Sequence, residues 1–294
     1  MELRVLNYFL ATAQEQNMTR AAEKLLVSQP ALSRQIADLE DELGVKLFIR
    51  QPRKLILTPA GRYLQEQARE ILTLADKTKQ NLQFTSVISG DLTIGAGESY
   101  GMQRVMSVVS DIIKDYPLVN IDLFSGSYAT TEAKLNNGTI DFAVIMGDLP
   151  LTNYEVLQLP EKDQWGVLMP ASDPLANKAE VRAGDLVNRQ LLISTQAKMR
   201  NRFQEWFGNY YKQINIIGNY NLVYNASLMA ENNSAIVMTY DRLTNTNGRN
   251  LVFRPLAPAQ YEPINVIWKH ETALSPVAQL FLNRLKASIQ DSEN

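Results

Sequence analysis

The stretch Ser28-Gln29-Pro30-Ala31-Leu32-Ser33-Arg34-Gln35-Ile36-Ala37-Asp38-Leu39-Glu40-Asp41-Glu42-Leu43-Gly44 organises the reading of everything around it. Leu32, Ile36, Leu39 and Leu43 recur at helical spacing along one face. Ser28 is a good N-cap, and Pro30 is tolerated in the first turn, where backbone N–H groups lack intrahelical partners. Gly44 supplies the C-terminal stop. At about 100° per residue the opposite face holds Pro30, Ser33, Arg34, Ala37, Asp38 and Asp41. Its first half is neutral or basic and its second half acidic, so only the N-terminal end can approach phosphates without repulsion. Helix-turn-helix proteins present their second helix to the major groove by that end. Ala37 keeps the face low enough for close approach.

Upstream, Leu3, Leu6, Phe9, Leu10 and Ala13 predict an amphipathic helix. Asn17 then caps a short helix whose Ala21, Ala22 and Leu25 let a neighbour pack closely. Downstream, Leu47-Phe48-Ile49 and Leu55-Ile56-Leu57 flank Gln51-Pro52-Arg53-Lys54, the pattern of a β-hairpin wing with a basic turn. Arg50, Arg53 and Lys54 are placed to meet a sugar-phosphate backbone or a minor groove. Thr58 and Pro59 open another helix in the favoured order of cap and proline. Along it Leu64, Ala68, Ile71, Ala75, Thr78 and Leu82 alternate steps of four and three, the spacing of a two-stranded coiled-coil seam. Ala75 and Thr78 weaken that seam, so a pair of chains would need a second contact. The helix is expected to end near residues 85–90.

Asn17-Met18-Thr19-Arg20-Ala21-Ala22-Glu23-Lys24-Leu25, Val27-Ser28-Gln29-Pro30-Ala31-Leu32-Ser33-Arg34-Gln35-Ile36, Leu39-Glu40, Leu43-Gly44-Val45, Leu47-Phe48-Ile49-Arg50 and Leu57-Thr58-Pro59-Ala60-Gly61 resemble the signature of LysR-type transcriptional regulators. The match runs through most of residues 3–61. The resemblance implies that Gln29, Pro30, Ser33 and Arg34 face DNA bases, with Arg50 and Arg53 on the backbone. It also implies that the helix after Pro59 is a linker pairing two subunits, and that paired effector domains build a tetramer from two dimers.

From Asp91 the pattern changes to alternating strands and helices. Strands are expected at 92–96, 119–124 and 140–145, with helices at 102–116 and 130–137, a βαβαβ order that argues for parallel pairing. A second unit begins near Asp163, with strands at 165–169, 190–193, 214–217 and 235–238 and helices near 200–210 and 224–232. A strand at 264–268 and a helix at 277–288 return to the first unit. The whole resembles the two-lobed, periplasmic-binding-protein-like effector domain of the same family. Asn232-Asn233-Ser234 and Tyr240 depart from the glycine-rich turn and proline that the family often has there.

Ligands of open α/β sheets sit beyond the C-terminal ends of strands, near helix N-termini. Those ends carry Ser99, Tyr100, Ser125, Gly126, Ser127, Met146, Gly147, Ser194, Thr195, Gln196 and Asn225. Each hydroxyl taken singly also reads as an ordinary helix cap. Converging on one cleft, Ser99, Tyr100, Ser125, Ser127, Met146, Ser194, Thr195 and Asn225 form a candidate effector site for a small polar or carboxylated molecule. Lys198, Arg200 and Arg202 read as a solvated helix face.

Composition narrows the alternatives. The 294 residues contain no cysteine and one histidine, His270, at the polar end of a strand. Thiol redox sensing, thiolate metal sites and Cys-His catalysis therefore have no cysteine to use, and His270 reads as a solvated strand end, which leaves a Ser-Lys or carboxylate mechanism as the enzymatic alternative. No apolar run approaches a membrane span, and the first residues do not read as an export signal, so a cytoplasmic, nucleoid-associated protein is expected. Net charge is −2 overall, with residues 1–87 at +2 and the remainder at −4. A transport receptor would leave the first 58 residues unexplained. An enzyme would want a nucleophile elbow or a phosphate loop, and neither motif is present.

The expected chain is multidomain. An all-α winged helix-turn-helix (1–58) is followed by a linker and dimerisation helix (59–88) and a two-lobed α/β effector domain (89–294). Lobe I is placed at about 89–161 and 267–294, and lobe II at about 162–266. Expected partners are double-stranded DNA, an unidentified small-molecule effector and a second copy of the chain. No catalytic residue, metal or cofactor is expected.

Overall fold

The computed structural model describes residues 1–51, 54–82, 88–199, 201–270 and 273–291, with the side chains of residues 50, 80–82 and 198–199 outside the described set. The chain divides into two compact units, Met1–Phe84 and Thr85–Asn294. Among the described residues no helix is long and apolar enough to cross a membrane.

The first unit runs α1 (Leu3–Glu15), α2 (Met18–Lys24), α3 (Gln29–Leu43), β1 (Phe48–Gln51), β2 (Lys54–Leu57) and α4 (Pro59–Leu82). The caps expected from sequence are made: Asn17 accepts from the N–H groups of Thr19 and Arg20, and Ser28 accepts from Ala31. Gly44 ends α3 with φ 67°, a left-handed conformation that costs glycine little. Leu6, Phe9, Leu32, Leu39 and Leu47 form the fully buried centre, and the Phe9 and Phe48 rings lie 5.4 Å apart. Each such side chain contributes roughly 1.5–3 kcal/mol by leaving water. Gly61 permits α4 to seat against the wing, since a Cβ there would stand 2.2 Å from the Leu47 carbonyl oxygen.

One expectation about α4 is corrected. Leu64 and Ala68 are buried in the core of their own unit, beside Phe48 and Leu39, and so are closed to a partner helix. Among the described residues, Tyr63, Ile71 and Leu74 are the large apolar side chains that α4 leaves exposed. The side chain of Leu82, the last expected seam position, lies outside the described residues. The helical period carries the two early seam positions onto the domain, whereas Ile71 and Thr78 stay exposed and Ala75 part-exposed, with Tyr63 and Leu74 beside that stripe.

Glu40 fixes the wing to α3. Its buried carboxylate accepts from the N–H groups of Leu47 (2.8 Å) and Phe48 (3.2 Å) and from the Lys46 ammonium (2.8 Å). Burial pushes its pKa up, but the Lys46 bond and the two backbone donors outweigh this and leave it below the usual value. That stabilisation is present above the ordinary glutamate value and is lost as pH falls through the lowered one. Glu40→Ala should destabilise this unit by roughly 2 kcal/mol at neutral pH, because two buried N–H groups lose their acceptor. In acid the gap between variant and parent should narrow, as followed by denaturant melts at several pH values.

The second unit begins with β3 (Gly90–Ala96), α5 (Met102–Asp115), β4 (Val119–Ser125), α6 (Tyr128–Asn136), β5 (Phe142–Met146) and the long β6 (Tyr154–Met169). It continues with β7 (Val181–Arg182), β8 (Gln190–Ser194), α7 (Thr195–Met199), α8 (Gln204–Phe207), β9 (Asn215–Tyr220) and α9 (Val223–Glu231). It closes with β10 (Ile236–Tyr240), β11 (Val252–Ala257), β12 (Tyr261–Lys269) and α10 (Pro276–Gln290). The strand order is β4-β3-β5-β12-β6-β10-β8-β9, with β11 on β6 and β7 on β11. β3 pairs in parallel with β4 and β5, and β8 with β9 and β10, as the alternating pattern implies. β6 and β12 are antiparallel to their neighbours, so the sheet is mixed.

Several boundaries differ from expectation. β6 starts at Tyr154, well before Trp165, because its first half alternates exposed Glu155 and Gln158 with partly buried Leu157 and buried Leu159 and lacks an apolar run. The helix expected near 200–210 is broken into short pieces, with Asn201 (φ 50°) and Gly208 (φ 51°) in left-handed backbone. β11 was not expected at all. At the atypical turn after α9, Asn233 takes φ 56°, a conformation that asparagine tolerates better than most side chains.

Candidate functional site

At the start of α3, Gln29, Pro30 and Arg34 are exposed and Ser33 is half-buried. Their spacing places them together on one side of the first two turns. Among the described residues Arg34 meets no acceptor, whereas Arg20, Arg62 and Lys24 are each held by a carbonyl or carboxylate. The hairpin registers Gln51 against Lys54, and Lys54 is exposed. Arg53 lies outside the described residues, as does the side chain of Arg50. Leu26, in the turn between α2 and α3, is 92 % exposed at φ 56°. Sequence reasoning passed it over, because a leucine in a turn gives no periodic signal.

Among the described residues two of the second unit's cavities adjoin each other. The first encloses about 520 Å³, open solvent at its mouth included, and gathers Ser127, Met146, Ser194 and Thr195 from the expected set. Ser127 caps α6 by accepting from Thr130 (3.3 Å), and Ser194 accepts from Ala197 (3.2 Å). The Thr195 hydroxyl donates to the Tyr220 carbonyl (3.0 Å) and accepts from the Asn219 amide (3.0 Å). Ser99, Tyr100 and Ser125 line the second cavity, about 1030 Å³ on the same measure, beside Arg242. Gly97, Glu98 and Leu243 line both. Asn225 is exposed on α9 and lines neither.

Sequence reasoning missed Glu98, Trp165, Tyr220 and Tyr240, all on the first cavity. Glu98 sits just past the end of β3, where the strand-end rule would have found it had carboxylates been sought beside hydroxyls. Its Oε2 accepts from the Val223 N–H at the start of α9 (2.5 Å), and burial holds its pKa above the usual range despite that bond. Burial likewise raises the Tyr220 phenol, which donates to the Met238 carbonyl at 2.6 Å. The Trp165 and Tyr240 rings pack against each other, tilted by 54°, with centroids 4.2 Å apart.

Beside the cavities, β6 crosses β12. There Asp163 faces Glu262 in the strand register. Asp163 accepts from the Tyr100 N–H (3.0 Å), and its Oδ2 is buried without a partner. Burial, aided by the Glu262 charge, pushes its pKa to about 6 against the opposing pull of Ser99 and the Tyr100 N–H. Glu262 is buried between the Trp165 indole N–H (3.0 Å) and the Arg202 guanidinium. Arg202 is thus an internal ion-pair partner and not part of a solvated face. His270 is exposed near Glu155 (2.9 Å).

The sequence from residue 86 to 290 matches the family described as "LysR substrate binding domain", and residues 3–62 match "Bacterial regulatory helix-turn-helix protein, lysR family". The chain belongs to the LysR family. It is similar to the Hca operon transcriptional activator HcaR of Escherichia coli, at 32% identity over 87% of this chain and 88% of that protein. A probable RuBisCO transcriptional regulator of Synechocystis shares 32% identity over 68% of this chain and 58% of its own length. In fold it is similar to full-length CbnR, a LysR regulator solved with its target DNA, at TM-score 0.75 and 21% identity, covering 98% of this chain and all of that one. This LysR-family chain is therefore a transcriptional regulator with a helix-turn-helix and a substrate-binding domain, and not an enzyme.

The raised Asp163 pKa has a consequence for stability. A carboxyl whose folded pKa exceeds its unfolded value favours the fold most when protonated, and that advantage fades as pH rises from about 4 through about 6. Asp163→Asn should remove this dependence, amounting to roughly 3 kcal/mol at most. Melting curves at stepped pH check it: the variant's gain over the parent should grow with pH across that window.

Proposed function

We propose that this regulator binds specific double-stranded DNA sites through its first unit and that a small molecule held in the second unit changes those contacts. In this reading Gln29, Pro30, Ser33 and Arg34 meet base edges, and Arg50, Arg53 and Lys54 meet the backbone. The observation that carries it is the solvent-facing group at the start of α3, with an Arg34 guanidinium that has no acceptor among the described residues. The resemblance to LysR signatures and the likeness to CbnR, crystallised with its target DNA, support the same assignment. Residues 1–58 would form the reading head, 59–88 the linker, and 89–294 the effector domain with lobes meeting at β6 and β12. Ser99, Tyr100, Ser125, Ser127, Met146, Ser194, Thr195 and Asn225 remain the effector set, with the cavity residues among them favoured. The working location is the bacterial cytoplasm, on the nucleoid when DNA is bound.

Arg34→Ala should cost roughly 1–3 kcal/mol of discrimination between a target site and its single-base variants. Gel shifts at near-physiological salt with competitor DNA read this directly. Unchanged discrimination would remove Arg34 from the base-reading set.

Pairing of two copies is placed on the outer stripe of α4, with a dimer of dimers completed by the effector domains. Ile71→Asp with Leu74→Asp should shift sedimentation toward smaller species while leaving the first unit folded. Leu64→Asp should instead unfold that unit, since its side chain is core. An unaltered oligomer in the double variant would put the interface elsewhere.

A further inference from the structure

The first cavity of the second unit has an electrostatic character that its hydroxyls alone do not suggest. Glu98, at the end of β3, is the one charged side chain among its described lining residues. The carboxylate is half-buried and already bonded through Oε2 to the Val223 N–H, which leaves Oε1 for a second donor. Beside it stand three aromatic side chains, Trp165, Tyr220 and Tyr240. The Trp165 indole N–H is committed to Glu262 and the Tyr220 hydroxyl to Met238, and with Trp165 almost fully buried behind Tyr240 it is the part-exposed Tyr220 and Tyr240 rings that offer the cavity an aromatic surface. A carboxylate next to aromatic faces in a poorly solvated pocket is the arrangement that holds an ammonium group, by a charge-assisted bond to the oxygen and attraction to the rings.

We propose that the effector cavity selects a small ligand carrying a protonated amine on an aromatic or apolar body, with Glu98 as its counter-ion. The proposal rests on the reading of this cavity as the effector site, and of the small polar or carboxylated ligand expected from sequence it drops the carboxylated option. A carboxylate ligand would meet Glu98 at close range in a site of low dielectric, where like charges repel strongly. An ammonium gains there, because burial has already stripped water from Glu98, as its raised pKa reflects. The geometry also supplies a consequence for the fold. Glu98 follows β3 in one half of the unit, and Val223 opens α9 in the other. An ammonium on Oε1 favours the ionised carboxylate and so strengthens the bond to the Val223 N–H that joins the halves.

Calorimetric titration of the full-length protein with benzylamine, benzyl alcohol and benzoate tests this, since the three probes share a ring and differ in charge. The wild type should bind benzylamine best. Glu98→Gln, which keeps an oxygen for the Val223 N–H, should lose about tenfold or more of that affinity and bind the amine no better than the alcohol. Gln196→Trp, at the cavity wall, should weaken all three probes. Benzoate binding as tightly as benzylamine, no measurable benzylamine binding, or no loss in Glu98→Gln overturns the ammonium assignment. If Gln196→Trp still blocks the probes that do bind, the cavity reading survives that failure. Probe binding undiminished in Gln196→Trp overturns the cavity reading itself, and the ammonium assignment with it.

Discussion

Asp163 and Glu262 face each other where β6 and β12 run antiparallel, and the second unit is organised around that crossing. β6 pairs with β12 over its first part and with β10 and β11 over its last, so a single strand serves both halves of the sheet. Two acidic side chains at one register position are a cost that the fold meets unequally. Glu262 has an arginine and an indole N–H, whereas Asp163 keeps one oxygen unpaired and burial raises its pKa to about 6. Both cavities lie against this crossing, which contributes Trp165 to one and, through the Tyr100 N–H, positions a residue of the other. The Val223 N–H, donating to Glu98, joins the same two halves.

The first unit depends on a smaller device of the same kind. Glu40 joins α3 to β1, so the helix that presents Arg34 and the hairpin that carries Lys54 are held by one buried carboxylate. The placement of this acid reconciles the two ends of α3. Exposed Asp38 and Asp41 face solvent along its second half, Glu40 turns inward, and the N-terminal end remains free of acidic groups.

Much of this was legible in the sequence because caps and periodic apolar residues are local signals. Asn17, Ser28, Gly44 and Thr58 mark helix ends through chemistry that needs no tertiary context, and the structure makes those bonds. The first half of β6 was hidden because a half-exposed strand with charged alternation resembles a loop. The early seam of α4 was misassigned because a heptad and a helix packed on its own domain share the same spacing for several turns. In the cavity, hydroxyls at strand ends were found and Glu98 was not. Its position after β3 fits the strand-end rule, but its bond to the N–H that opens α9 is made by a segment about 125 residues away and leaves no local signal.

The central claim is that the first unit reads DNA sequence through the start of α3. Selection of bound fragments from the genome that encodes the chain, using the purified protein beside a Ser33→Ala, Arg34→Ala variant, tests it most directly. The account predicts a small set of enriched fragments sharing a two-fold-related motif, with the enrichment lost in the variant while its melting curve is unchanged. Enrichment of nothing beyond bulk DNA by the folded wild type, or the same fragments recovered by both proteins, would contradict it.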